Sequence, residues 1–287
     1  MIDRDFSAIN RPAYRRYGKR LFSAFLLTAV LGLTLCVMVA CAAAARTASP
    51  RPPAGTTPHW SYEGDTGPEY WYALDSAYAT ARDGKAQSPI DILTAELIPD
   101  GDLVKPLIAY RKTPFKMENN GHTIELLPAA AGNTIVLDGE SYELQQFHFH
   151  APSEHLFDGV SFAMELHLVH KDARGNLAVI GMMITEGARN ETLGEIFENL
   201  PGEIGGEGSL EPKIDLAELF TGSREMCRYD GSLTTPPCTE GVKWSISLEP
   251  VEMSPHQIEA FRALYRGNKR PVQNRYGRPV YLAKNEE

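Results

Sequence analysis

Cysteine is scarce in this chain of 287 residues: there are four, and Cys36 and Cys41 fall inside an apolar N-terminal run, leaving Cys227 and Cys238 for everything that follows. The fold must therefore be held by its core, and roughly 230 residues beyond the linker are enough to bury one without disulfides. Positive charge is also in short supply. The chain has 28 Lys and Arg against 37 Asp and Glu; six of the former and two of the latter lie in residues 1–45, so the remainder carries 22 against 35, a net charge of −13. Such a surface repels a phosphate backbone, which excludes nucleic acid as a partner. From His59 onward there is no internal repeat and no second break in composition, so a single domain is expected.

Only one long hydrophobic run occurs. Arg15, Arg16, Lys19 and Arg20 precede Leu21 to Ala45, 25 residues without a charge. A basic stretch followed by an apolar one is an export signature, and this run is also long enough to span a bilayer as a helix. Three fates fit: cleavage as a signal peptide, retention as a membrane anchor, or lipid attachment at Cys41, because Met38-Val39-Ala40-Cys41 resembles the lipobox of bacterial lipoproteins. Each places the rest of the chain outside the cytoplasm, in the periplasm or cell envelope. Residues 46–58, with Pro50, Pro52, Pro53 and Pro58, have the composition of a tether, so 59–287 is expected to be the working domain.

Histidine concentrates in one place. Gln146-Phe-His148-Phe-His150 and Glu165-Leu-His167-Leu-Val169 each put alternate residues on one face of a strand. Two neighbouring antiparallel strands would thus aim His148, His150 and His167 at one point. His-x-His alone is often a solvated strand face, but three imidazoles with one position left open are what a catalytic zinc takes, whereas a structural zinc is closed by a fourth ligand, commonly cysteine. No cysteine lies near this stretch. Gln146 and Glu165 stand two residues from His148 and His167, where they would accept hydrogen bonds from the outer ring nitrogens.

The remaining pattern is mostly strand. Asn119 to Leu127 alternates, and Asn133 to Leu137 leads through Asp138-Gly139 into Tyr142 to His150 as a hairpin. Phe162 to Val169 turns through Lys171 to Asn176 into Leu177 to Thr185, and Val242 to Leu248 makes another strand. Helices are few and short: Asn190 is expected to cap 191–199, and Ser254-Pro255-His256-Gln257 is a capping box opening a helix to about Leu264. The expected fold class is mainly β, with peripheral helices and the histidines rising from a central sheet.

Three further clusters complete a resemblance. His59-Trp60-Ser61-Tyr62 and Gln87 to Ile92, then Asn119-Asn120-Gly121-His122 and the histidine stretch, then Gly231 to Pro237 follow one another as in the α-class carbonic anhydrases of bacterial type. The resemblance spans His59 to about Leu282. It implies a large, mostly antiparallel twisted central sheet of about ten strands. The implied reaction is reversible hydration of carbon dioxide to bicarbonate and a proton by zinc-bound hydroxide, with anions and sulfonamides as inhibitors. Zinc lowers the pKa of bound water to about 7, a value for which carbonic anhydrase is itself the reference case.

Carried over residue by residue, the resemblance makes His148, His150 and His167 the zinc ligands, with Gln146 and Glu165 behind them. Thr234 and Glu154 match the hydroxyl and buried carboxylate that orient the hydroxide, and His122 matches the proton shuttle. Histidine suits that task because its ordinary pKa of about 6.5 lets it take and release protons near neutrality. Val169, Val179, Leu233, Val242 and Trp244 match an apolar wall for carbon dioxide; Thr235, Tyr62 and Asn120 match residues that hold a water chain. His155 and His170 are expected to be hydrogen-bonded core residues, His59 to sit near the rim and His256 to be exposed. The short Lys171-to-Asn176 turn resembles bacterial members that dimerise.

Two positions depart from the pattern: Glu125 stands where a neutral amide is usual near the water chain, and Ala81 replaces a cysteine that normally pairs with Cys238. Two reduced thiols are therefore expected, with Cys238 aimed away from Cys227. The competing readings are a binding module of the same fold that has lost its chemistry, against which the intact ligand set argues, and an esterase, which a carbon dioxide hydration assay run beside an ester assay would separate.

Overall fold

The computed structural model describes residues 58–220, 222 and 225–284. The apolar run 21–45, Cys41 and nearly all of the 46–58 tether lie outside the described residues. No described helix is long and apolar enough to cross a membrane.

Strands dominate. The spine of the sheet is β1 (Ile98–Val104), β2 (Thr113–Asn119), β3 (Ile124–Pro128), β4 (Glu140–His150), β5 (Met164–Lys171), β6 (Leu177–Glu186), β7 (Glu207–Ile214), β8 (Met226–Ser232), β9 (Glu240–Ser247) and β10 (Tyr281–Lys284). These ten lie in the order β7-β2-β3-β4-β5-β6-β9-β8-β10-β1, and three short strands attach to that path, making a 13-stranded sheet among the described residues. Neighbours on the path are antiparallel except β6 with β9 and β10 with β1, which are parallel. The expected, mostly antiparallel architecture is thus present, with two parallel pairs on the path.

Alternation along the strands separates two faces. Phe147 and Phe149 of β4, Leu166 and Leu168 of β5, and Ile180 and Met182 of β6 join the larger apolar cluster. Truncating a side chain as deeply buried as Phe149 to alanine would cost about 3–5 kcal/mol. Val179 of β6 and Val242, Trp244 and Ile246 of β9 form a smaller cluster on the other face, the one that carries the histidines.

Two local expectations are corrected. Asn119 to Leu127 is not one strand: it is broken between Asn119 and Ile124, because the Asn120 Oδ1 accepts the backbone N–H groups of His122 and Thr123, both at 2.9 Å, and Gly121 has φ +85°. A side chain that satisfies two backbone donors locally competes with the strand ladder. The helix expected over 191–199 is Gly194–Glu198, since the Asn190 Oδ1 accepts the Leu193 N–H at 2.9 Å and so caps a turn ahead of the helix. The Ser254–Gln257 capping box is formed, and its helix runs Pro255–Arg262. The Asp138-Gly139 hairpin is formed too, with φ of 52° and 80° at the two turn residues.

Candidate metal centre

A change of phase in β4 creates the site. Leu144 pairs with His170, but Gln146 pairs with Val169, so one extra residue is inserted between them. Tyr142 and Leu144 point into the larger apolar cluster before this bulge, Phe147 and Phe149 after it. Without the insertion, strict alternation would send His148 and His150 into the core and the two phenylalanines to the other face. With it, His148 lies directly opposite His167 and His150 opposite Glu165. His148 Nε2 is 3.0 Å from His150 Nε2. One nitrogen from each of His148, His150 and His167 falls within 4.8 Å of the others, close enough for all three to reach one ion.

The outer nitrogen of each ring is tied to an acceptor. His148 Nδ1 donates to Gln146 Oε1 at 2.8 Å, His167 Nε2 to Glu165 Oε1 at 2.8 Å, and His150 Nδ1 to the backbone oxygen of Asn268 at 2.6 Å. These bonds fix the tautomers, leaving Nε2, Nδ1 and Nε2 of His148, His167 and His150 with free lone pairs directed at the shared point. Gln146 and Glu165 therefore stand where the sequence placed them. Asn268 was not foreseen; a backbone carbonyl leaves no signature in residue type.

Glu165 is held on all sides. Its Oε1 also accepts from His155 Nδ1 at 2.7 Å, and its Oε2 takes the backbone N–H groups of Glu154 and His155 at 2.9 and 2.8 Å. Burial alone would raise its pKa, but the His155 and His167 rings beside it hold the carboxyl well below the ordinary range. His155 Nε2 in turn accepts from the Tyr229 hydroxyl at 2.6 Å, and Tyr229 meets Ser88 Oγ at 2.8 Å. Ser88 and Tyr229 were missed because the partners lie far apart in sequence. Burial, followed by the neighbouring imidazoles, pushes His148 well below the usual imidazole range, keeping it neutral as a metal ligand requires.

Glu154 supplies the complementary charge. Its Oε1 accepts the Arg270 backbone N–H at 2.8 Å, while the buried Oε2 has no hydrogen-bond partner and lies 3.6 Å from His150 Nε2 and 4.0 Å from His167 Nδ1. A buried carboxylate oxygen without a donor is costly, and its position beside the His150 and His167 rings suits a cation. The donor set therefore fits a divalent metal. Thr234 is buried on the loop after β8, and its hydroxyl makes no hydrogen bond to Glu154.

Around this centre, Val179, Val242 and Trp244 are buried in the smaller apolar cluster and Val169 and Leu233 pack against it, so the five apolar residues read from the sequence are brought together. Trp244 lies edge-on to His167 at 4.9 Å. Thr235 and Tyr62 are half-buried. His122 sits in the turn between β2 and β3, its ring stacked flat on Trp60 at 3.7 Å. Burial, and then His59, lower its pKa. Asn120 in the same turn donates from Nδ2 to Glu125 Oε2 at 3.0 Å. His155 and His170 are buried and hydrogen-bonded, and His59 and His256 are exposed. Cys227 and Cys238 are free and buried; burial raises their thiols to about 12 and about 11, leaving both protonated and inert at neutral pH.

A sequence profile described as "Eukaryotic-type carbonic anhydrase" matches residues 66–284. The chain belongs to the α-carbonic anhydrase family. Among its relatives is the carbonic anhydrase of Klebsiella pneumoniae, 41% identical over 228 residues that make up 77% of this chain and 90% of that protein. Two solved structures resemble it closely. The α-carbonic anhydrase of Thermovibrio ammonificans, in complex with the inhibitor sulfanilamide, has a TM-score of 0.76 at 41% identity and covers 79% of this chain and 100% of its own. The α-carbonic anhydrase of Photobacterium profundum has a TM-score of 0.72 at 36% identity and covers 78% and 100%. The protein is therefore a carbonic anhydrase.

Proposed function

We propose that this chain catalyses the reversible hydration of carbon dioxide, CO2 + H2O ⇌ HCO3⁻ + H⁺, with one zinc ion held by His148, His150 and His167. The observation that carries this reading is the convergence of three ring nitrogens within 4.8 Å beside the unpartnered Glu154 oxygen. A zinc ion there supplies Lewis acidity, lowering the pKa of the water it binds to about 7, a figure that carbonic anhydrases themselves define. Gln146, Glu165 and the Asn268 carbonyl hold the three rings in register so that no reorganisation is needed on reaction.

Each remaining residue has a task that its chemistry allows. Val169, Val179, Leu233, Val242 and Trp244 offer apolar carbon dioxide a wall that does not compete for hydrogen bonds. Thr234 orients the attacking oxygen by accepting its proton, and the free Oε2 of Glu154 is the acceptor available to the Thr234 hydroxyl. Tyr62, Asn120 and Thr235 hold waters that lead the product proton outward. His122, lowered in pKa but half-exposed, takes that proton and passes it to buffer. Bicarbonate binds as product, and sulfonamides are expected ligands of the same centre, as sulfanilamide is for the Thermovibrio relative.

The uncharged run 21–45 and the Cys41 motif support export to the periplasm or cell envelope, with 46–58 as tether to the membrane and 59–287 as the catalytic domain. The test of the central reading combines metal analysis with a stopped-flow hydration assay. Zinc near one equivalent per chain, activity lost on chelation and activity restored by zinc are expected. A metal-free preparation that hydrates carbon dioxide at the full rate would overturn it.

A further inference from the structure

Glu125 is an expensive residue where it stands. It lies on β3 directly opposite His148 of β4, while its strand neighbours Ile124 and Leu126 point into the larger apolar cluster, so its side chain is on the imidazole face. Across the β2–β3 hairpin its partner is Glu118, a like charge, which is unfavourable in a cross-strand pair. Burial, and to a lesser degree Glu118, raise its pKa. Against these costs stands one well-formed bond, the 3.0 Å contact in which Asn120 Nδ2 donates to Glu125 Oε2.

That bond decides which way Asn120 faces. The two ends of an asparagine amide are nearly the same size but opposite in role, one an acceptor and the other a pair of donors. The His122 turn requires the acceptor end, because Asn120 Oδ1 takes the N–H groups of both His122 and Thr123. An ionised carboxylate only accepts, so Glu125 can be satisfied by the NH2 end of Asn120 and by no other orientation. A neutral amide at 125 could accept or donate and so would not itself reinforce the orientation that the turn needs. We propose that Glu125 is a positioning residue for the proton-transfer turn: it locks the Asn120 amide so that the turn holds His122 over Trp60.

The assignment of a proton-carrying role to the turn rests on the hydration reading above, whereas the locking itself does not, and the experiment separates the two. In the full-length zinc protein, Glu125→Ala should lower the hydrogen-exchange protection of the His122 and Thr123 amides by roughly tenfold, as expected on losing a charge-assisted bond. Glu125→Gln, which keeps an acceptor but loses the exclusion of donors, should fall between Glu125→Ala and the parent. The hydration rate of Glu125→Ala should drop in dilute buffer and return to the parent value in concentrated imidazole. If the alanine variant does not fold, the glutamine variant supplies the exchange test alone. Unchanged protection of both amides in a folded variant would overturn the proposal. Reduced protection with no hydration activity in any variant, the parent included, would uphold the locking and remove the hydration reading instead.

Discussion

The backbone oxygen of Asn268 lies 2.6 Å from Nδ1 of His150, although the two residues are 118 positions apart. Asn268 is itself anchored by its side chain, whose Nδ2 donates to the carbonyls of Phe149 and His122 at 2.9 and 3.0 Å and whose Oδ1 accepts the Ala151 N–H at 2.9 Å. One buried residue thus ties the His150 imidazole to the backbone of the turn that carries His122.

Asn268→Ala would leave the backbone oxygen in the chain but remove what aims it. We expect zinc affinity to fall by about tenfold or more, the usual effect of disturbing the groups behind metal-bound histidines. The newly unpaired Ala151 N–H adds a loss of about 1–3 kcal/mol in stability. Competition with a chromophoric chelator measures the first and chemical denaturation the second; an unchanged zinc affinity would mean that the His150 ring is held by its packing alone.

Thr234→Ala should reduce hydration on the order of 10²-fold, the typical effect of deleting one positioned hydrogen-bonding group at a reacting oxygen. Thr234→Ser, which keeps the hydroxyl, should retain most of the rate. Equal damage in both variants would assign Thr234 to loop packing.

His122→Ala should impair turnover in dilute buffer and be rescued by added imidazole, because only proton export is removed. Initial rates at several buffer concentrations decide this: a deficit that persists at high buffer would place the defect at the metal centre.

His170 gives a pH signature independent of the metal. It is fully buried, its Nε2 meets the Tyr110 hydroxyl at 2.7 Å, and burial lowers its pKa to about 3 from an ordinary 6.5. Between those values the unfolded chain binds a proton that the folded chain does not, so stability is full above 6.5 and falls as pH drops, by about 1.4 kcal/mol per unit, until the folded pKa is reached. The slope should be smaller by that amount in His170→Gln. Parallel denaturation curves for parent and variant across pH 4–6.5 would show that His170 is protonated in the fold.

The sequence by itself determined that His148 and His150 share a strand face with Gln146, and His167 one with Glu165, because they alternate within two segments and alternation is a property of any strand. It determined the Asp138-Gly139 hairpin and the Ser254 capping box for a similar reason: each is written in residues that satisfy their own neighbours. What it could not determine is which strand lies beside which. The bulge at Gln145, which turns the histidines out of the core, is set by the pairing of β4 with β5, and the Asn119-to-Leu127 run looked continuous until the Asn120 side chain took up its local donors. The strands β1, β7, β8 and β10 carry no clean alternation, and their extended form comes from the ladder that long-range contacts complete. Tertiary structure alone brought Asn268, Ser88 and Tyr229 to the site. They act through hydrogen bonds that span 74 positions of chain or more, and only the folded backbone brings such partners together.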